Sequence, residues 1–145
     1  RGLGDVYKRQ MIRTGEGAGI TGVIMNNQTV DIFNPKTIRA TMGSIFRVPF
    51  VYVPDLAPVL EQMHAKGIYT YAAHLKGQEY YDSFSFREPT AFLIGNEGNG
   101  LSKEISDQAG QYLKIPMEGR VESLNASIAA ALLMYEAHRQ RSARL

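Results

Sequence analysis

Two stretches near the C-terminus constrain this chain more than any others: Phe92-Leu-Ile-Gly-Asn-Glu-Gly-Asn-Gly-Leu-Ser102 and Ile115-Pro-Met-Glu-Gly-Arg-Val-Glu-Ser-Leu-Asn-Ala-Ser127. Each begins as a short apolar run suited to a buried strand and then breaks into glycine-rich or proline-containing loop. The second leads directly into an apolar helix. Two loops emerging side by side at strand ends are where open α/β sheets bind ligands, so the pair is expected to build a site.

The rest of the chain supplies the sheet. Short β-rich runs recur at Ile20 to Met25, Val48 to Val53, Ile68 to Ala73, Ala91 to Gly95 and Tyr112 to Ile115. Between the second and third, Asp55 to Lys66 carries Leu56, Val59, Leu60 and Met63 on one helical face and stops at Gly67. Between the first and second, Asn34-Pro35 supplies a cap and a first-turn proline ahead of Ile38, Met42, Ile45 and Phe46. Strands alternating with helices predict an α/β fold, a mostly parallel sheet with helices on both faces. The last helix is expected from Ser123 to about Arg141, with Leu124, Ile128, Ala131, Leu132 and Tyr135 as its apolar stripe. Ser123, Asn125 and Ser127 at its start either cap it or hold a ligand against unpaired backbone N–H groups. Arg139, Arg141 and Arg144 read as a solvated end that complements the helix dipole.

Composition narrows the function classes. At 145 residues, 44% of them hydrophobic, one domain with a single core is expected. A net charge of +2 permits nucleic-acid contact without arguing for it. Without cysteine there is neither a disulfide frame nor a thiolate metal site, and no apolar run reaches the roughly 18 residues that span a bilayer. A cytoplasmic protein with no membrane or metal partner is the simplest reading. His64, His74 and His138 share no ligand spacing and are expected in solvated or packing roles. Tyr69, Tyr71, Tyr80, Tyr81, Phe84 and Phe86 could stack bases, although core packing is the commoner use of such a cluster. No serine sits in a G-x-S-x-G elbow. Gly95, Gly98 and Gly100 have the spacing G-x-x-G-x-G, which disfavours a nicotinamide-dependent oxidoreductase.

Residues 1–10 show neither a signal-peptide core nor a helical period. Back-translating Asp5-Val-Tyr-Lys-Arg-Gln10 as GAT GTG TAT AAG AGA CAG gives a string resembling a transposon adapter of sequencing libraries. Residues 1–10 are therefore expected to be non-native, with 11–145 a single domain whose first strand is missing; a natural basic tail is the alternative.

Met11-Ile-Arg-Thr-Gly-Glu-Gly-Ala-Gly19 and the two C-terminal stretches, in this order and spacing, resemble the three motifs of the SpoU, or TrmH-like, branch of the SPOUT RNA methyltransferases. The resemblance covers nearly everything after residue 10. It implies a parallel α/β domain with a C-terminal trefoil knot, and a homodimer with active sites near the subunit interface. It also implies S-adenosylmethionine held by Leu93, Ile94, Gly95, Asn96, Gly98, Ile115, Pro116, Met117, Ser123, Leu124 and Asn125, with Ala73 and His74 lining the same pocket. The implied reaction is 2′-O-ribose methylation of structured RNA, rRNA before tRNA, with Arg13, Glu97 and Asn125 as the catalytic residues. A noncatalytic RNA-binding paralogue is the alternative, and retention of those three residues argues against it. In such enzymes the motif-one arginine is proposed to activate the hydroxyl. A guanidinium pKa above about 12 makes it a costly base, so Arg13 is expected instead to grip an RNA phosphate and stabilise alkoxide charge. The family's asparagine ahead of that arginine has no counterpart here, because the adapter-like residues occupy its place.

Overall fold

In the computed structural model, which describes residues 4–26, 47–74, 76–95, 100–120 and 125–142, the first helix, α1 (Gly4–Ala18), runs unbroken through the adapter-like stretch into motif one. Residues 1–10 were expected to lack a helical period, yet the helix begins at Gly4. Among its residues, Ile12, Gly15 and Ala18 are buried. The helix closes at Gly19, whose φ of 81° only glycine adopts cheaply. The Ile20 N–H bonds the Gly15 carbonyl at 3.0 Å and the Gly19 N–H bonds the Glu16 carbonyl at 3.1 Å, the paired closure of a Schellman turn.

The chain forms two units, 1–56 and 57–145. In the first, β1 (Val23–Asn26) and β2 (Phe50–Val53) pair in parallel, Val23 against Phe50 through Asn26 against Val53. Strand alternation puts Val23, Met25, Phe50 and Tyr52 on one face, where they pack with Ile12 of α1. The opposite face presents Ile24 and Val51, 37% and 49% exposed. The crossover helix expected around Ile38 to Phe46 lies outside the described residues.

The second unit holds α2 (Ala57–Ala65), β3 (Tyr69–Ala73), β4 (Thr90–Leu93), α3 (Lys103–Gln108), β5 (Gln111–Leu113) and α4 (Ala126–Arg141), with a 3-10 turn at Tyr81–Ser83. Its strands are ordered β4-β3-β5, all parallel. All five expected strands are therefore present, hydrogen-bonded as a pair and a triplet. Register and alternation assign the two faces of the triplet. Tyr71, Phe92 and Leu113 share one face and meet Phe86 and Leu133 in the core. Thr70 points to the other, where its Oγ1 lies 2.7 Å from His64 Nε2 of α2 and accepts the Gly110 N–H at 2.8 Å. Helices thus cover both faces of this sheet, as an α/β domain requires. Phe86, Leu113 and Leu133 are fully buried, each contributing about 1.5–3 kcal/mol by area.

Helix α4 packs differently from the expected stripe. Its buried face is Ala126, Ser127, Ala130 and Leu133, whereas Ile128, Leu132 and Tyr135 are 51%, 37% and 45% exposed. Leu133 reaches the core from this face, while the larger side chains of the expected stripe stay outside. Its C-terminal end is not simply solvated either. Arg141 donates from Nε to the Phe86 carbonyl and from Nη2 to the Glu88 carbonyl, both at 2.9 Å. Arg139 pairs with Glu136 at 2.6 Å, and Arg144 lies outside the described residues. The expected trefoil knot turns on the path of residues 96–99 and 121–124, which also lie outside them.

Candidate functional site

Strand β3 lies between β4 and β5, so the connection from β3 to β4 and the connection from β4 to β5 run in opposite directions across the sheet. The carboxyl end of β3 is therefore a topological switch point, the place where an open parallel sheet leaves a crevice. The loops after β4 and β5 flank it. They are not direct neighbours, as the sequence led one to expect, but stand one strand apart, roughly 10 Å at ordinary strand spacing. Ala73 and His74 lie between them.

The first loop starts with Leu93 at the end of β4, then Ile94 and Gly95, all half-buried. Ile94 packs against the core of Tyr71, Phe86, Leu113 and Leu133. Gly95 is required by close approach: a Cβ there would lie 2.3 Å from Gly100 C and from Leu101 N. The loop therefore returns onto its own beginning, backbone against backbone, and Ser102 then caps α3 by accepting the Ile105 N–H at 3.3 Å. Asn96, Glu97 and Gly98 lie outside the described residues.

The second loop leaves β5 through Lys114. The Lys114 N–H bonds the Glu79 carbonyl and the Tyr81 N–H bonds the Lys114 carbonyl, each at 2.9 Å, so the outer edge of β5 is held up to the start of Ile115. Ile115 and Met117 are half-buried and Pro116 is exposed. Ser123 and Leu124 lie outside the described residues. Asn125 is the N-cap of α4: its Oδ1 accepts from the Ser127 N–H at 2.8 Å, the Ile128 N–H at 3.3 Å and the Ser127 hydroxyl at 2.5 Å. With that oxygen engaged, the Nδ2 amide is the side chain's remaining hydrogen-bonding group for a ligand.

At the switch point His74 lies flat on Tyr112, ring centroids 4.6 Å apart and planes 13° from parallel. His74 Nδ1 accepts the Lys76 N–H at 3.0 Å, which leaves Nε2 as the protonated nitrogen of the neutral ring. Desolvation, and then the nearby Asp107 carboxylate, raise the Tyr112 phenol above its usual pKa. A recess of about 270 Å³ along the outer side of β5 is bordered by Lys76, Gly77, Gln78, Glu79, Phe84, Gln111 and Tyr112. It contains none of the residues expected to hold a cofactor, so the position of the two loops marks the candidate site better than the recess does.

Arg13 belongs to the first unit and is exposed on α1. Glu16, one turn later, is held by both arms of Arg47, with Nη2 donating to Oε2 at 2.9 Å and Nε to Oε1. That hydrogen bond raises the Arg47 guanidinium pKa further. The sequence carried no signal for this pair, because its members stand 31 residues apart. The histidines pack as expected: His64 meets Thr70, His74 stacks on Tyr112, and His138 meets the edge of Tyr135. Tyr71, Phe84, Phe86 and Phe92 form an interlocking aromatic core, which absorbs much of the cluster that could otherwise stack bases. Among the described residues, no group of His, Asp and Glu is arranged to hold a metal ion, and no helix is long and apolar enough to cross a membrane.

Known proteins share this arrangement. The model of the SpoU rRNA methylase family matches residues 10–135. A Staphylococcus haemolyticus protein named as a TrmH-family tRNA/rRNA methyltransferase is 35% identical over 141 residues, 97% of this chain and 57% of its own length. The Bacillus subtilis 23S rRNA (guanosine(2553)-2′-O)-methyltransferase RlmP is 35% identical over 125 residues, covering 86% of this chain and 50% of its own. The crystal structure of the SpoU methyltransferase AviRb from Streptomyces viridochromogenes, solved with the cofactor AdoMet, superposes with a TM-score of 0.86 at 34% identity, over 94% of this chain and 56% of that one. The chain thus spans between half and three-fifths of the length of these curated relatives.

Proposed function

The chain belongs to the SpoU rRNA methylase family, and from that premise we propose that it is the catalytic part of a cytoplasmic, S-adenosylmethionine-dependent enzyme that methylates a ribose 2′-hydroxyl in structured RNA, rRNA in preference to tRNA. The observation that carries this reading is the pair of glycine- and proline-containing loops flanking the end of β3 at the switch point of the sheet. The name of the Bacillus subtilis relative specifies 2′-O methylation of 23S rRNA, and the Streptomyces relative was solved with AdoMet.

The residues present fit that cofactor. Leu93 to Gly95 offer closely packed backbone, and Ile115, Pro116 and Met117 offer apolar surface beside it, the combination an adenine with a flexible polar chain needs. When bound, S-adenosylmethionine supplies an electrophilic methyl group on a sulfonium centre. Asn96, Gly98, Ser123 and Leu124 complete the proposed cofactor set, and the Asn125 amide adds a donor at the head of α4. Glu97 and Asn125 organise the reacting centre. Arg13 grips a phosphate of the RNA and stabilises the oxygen as negative charge develops, with the hydroxyl proton leaving to phosphate or water. Alignment of hydroxyl and methyl group supplies the larger share of the rate, about 7–11 kcal/mol in favourable cases.

A homodimer belongs to this reading, supported by the exposed row of Ile128, Leu132 and Tyr135 on α4, large apolar side chains that a second copy would cover. Calorimetric titration with S-adenosylmethionine and with NAD, followed by transfer of labelled methyl groups to rRNA and tRNA, tests the whole. Micromolar binding of the first, none of the second and label in ribose are expected. Absence of S-adenosylmethionine binding would overturn the proposal.

A further inference from the structure

A glycine builds the recess beside β5. Gly77 is buried, and a Cβ there would lie 2.9 Å from the Leu113 carbonyl carbon and 3.1 Å from the His74 and Leu113 carbonyl oxygens. Only a residue without a Cβ lets the chain fold this closely onto the strand. The Gly77 N–H bonds the His74 carbonyl and the Lys114 N–H bonds the Glu79 carbonyl, each at 2.9 Å, which fixes the segment at both ends. Two aromatic rings, Tyr112 and Phe84, border the space it encloses. Tyr112 is backed on one face by His74 at 4.6 Å, Phe84 meets Tyr71 at 5.4 Å, and Gln140 holds the Phe84 carbonyl. Both rings are set in place before any ligand arrives, which lowers the ordering cost of binding.

The rim is polar. Lys76, Gln78, Glu79 and Gln111 are exposed, and among the described residues their side chains make no hydrogen bond or ion pair. They supply an ammonium donor, a carboxylate acceptor and two amides that do both. At about 270 Å³ the recess lies just under the roughly 300–1,000 Å³ of ordinary ligand pockets, room for one ring system and not for an extended molecule. An anion would gain Lys76 but meet the Glu79 carboxylate, and an apolar ligand would strip water from the rim without replacing its hydrogen bonds. Fixed rings beside mixed donors and acceptors suit an unpaired base, which stacks by its face and is read at its edge. We propose that the recess takes one unpaired base of the RNA, a neighbour of the methylated nucleotide and not that nucleotide itself. The inference rests on the RNA substrate proposed above. The recess contains none of the proposed cofactor residues, yet His74 at the switch point is stacked on its Tyr112 wall. A base seated there is held beside the reacting centre with one ring pair between them, and so helps select the RNA by sequence.

Short single-stranded oligoribonucleotides, one for each base, are compared with an abasic oligomer of the same length. The protein is saturated with S-adenosylmethionine, so that the cofactor's own adenine site is occupied. For at least one base, binding should be about tenfold tighter than for the abasic oligomer, the size of one base-on-ring stack. The ratio of the two affinities cancels the contribution of the phosphate backbone. Tyr112→Leu should bring that ratio to unity, whereas Tyr112→Phe keeps the ring and should keep the ratio. Equal binding of base-bearing and abasic oligomers would overturn the inference, as would a ratio that survives Tyr112→Leu. Should that variant fail to fold, Glu79→Gln on the exposed rim decides instead: the ratio should fall, and an unchanged ratio counts against the recess. The side-chain amide resonances of Gln78 and Gln111 provide a second readout. They should move with the preferred base-bearing oligomer and stay with the abasic one; movement with both, or with neither, also overturns the inference. A chain that does not bind S-adenosylmethionine would instead overturn the proposed function, with the oligomers still deciding whether the recess holds a base.

Discussion

Gln140 grips the backbone leading to Phe86 with both ends of its amide: Oε1 accepts the Phe86 N–H at 2.6 Å and Nε2 donates to the Phe84 carbonyl at 2.9 Å. The end of α4 is thereby tied to the chain entering β4, the strand that carries the first loop of the candidate site. Phe86 is fully buried, so its N–H has little chance of finding water if the amide is removed.

Gln140→Ala is accordingly expected to destabilise the fold by about 1–3 kcal/mol, the cost of a buried donor left unpaired. Urea unfolding measures it as a lower midpoint at unchanged slope. A variant as stable as wild type would mean that the backbone of this segment finds another partner.

Thr70 serves the opposite face of the sheet. Its side chain is 1% exposed as a residue, and its hydroxyl joins His64 of α2 to the Gly110 N–H at the start of β5. Thr70→Val keeps the shape and removes both bonds, with a loss of about 1–3 kcal/mol expected, whereas Thr70→Ser retains the oxygen and should recover most of it. Comparison of the two by denaturation separates the hydrogen bonds from the packing.

The strands were legible because each is a short β-branched or aromatic run bounded by turn residues, and their observed ends differ from the expected ones by only a few positions. Helix α1 was not: residues 1–10 were read as lacking a helical period, whereas the helix begins at Gly4 and runs through motif one to Ala18. For α4 the period was readable but not the side that packs. The face with Ala126, Ser127, Ala130 and Leu133 is the buried one, and Ile128, Leu132 and Tyr135 are exposed. At the candidate site, glycine spacing and the cap-forming Asn125 were visible as residue types in a loop context. The contacts that depend on distant partners, Arg47 on Glu16 and Arg141 on Phe86 and Glu88, had no local signature to read.

Gly95 provides a test of the first loop. An alanine there places its Cβ 2.3 Å from two backbone atoms of Gly100 and Leu101, which cannot yield as a side-chain tip would. Gly95→Ala is expected to open the loop and abolish S-adenosylmethionine binding in calorimetry. Ile94 beside it packs against the core of Tyr71, Phe86, Leu113 and Leu133, so urea unfolding of the variant separates loss of the loop from loss of the core.

Glu136 introduces a pH dependence. Hydrogen bonding from Arg139 is the main cause of a carboxyl pKa below its ordinary 4.5, with Gln140 adding to it and burial opposing it. A carboxylate whose pKa is depressed on folding stabilises the fold above its unfolded pKa and loses that contribution as pH falls through the folded value. The stability difference between wild type and Glu136→Gln should therefore be constant near neutral pH and shrink below about pH 4.5. A difference that grew on acidification would contradict the pairing.

Asn125 joins two functions that substitution can separate. Its Oδ1 caps α4 through the Ser127 and Ile128 N–H groups, and its Nδ2 is the group proposed for the cofactor site. Asn125→Asp keeps an acceptor at the cap, where aspartate serves as well as asparagine and its charge favours the positive end of the helix. It removes the amide donor. Stability should therefore hold or rise slightly, while S-adenosylmethionine affinity and turnover fall. Asn125→Ala loses both groups, so about 1 kcal/mol of stability should disappear along with binding. Thermal unfolding and calorimetric titration of the two variants distinguish the roles. If the aspartate variant binds and methylates like the wild type, Asn125 serves the helix alone and the donor for the cofactor must come from elsewhere.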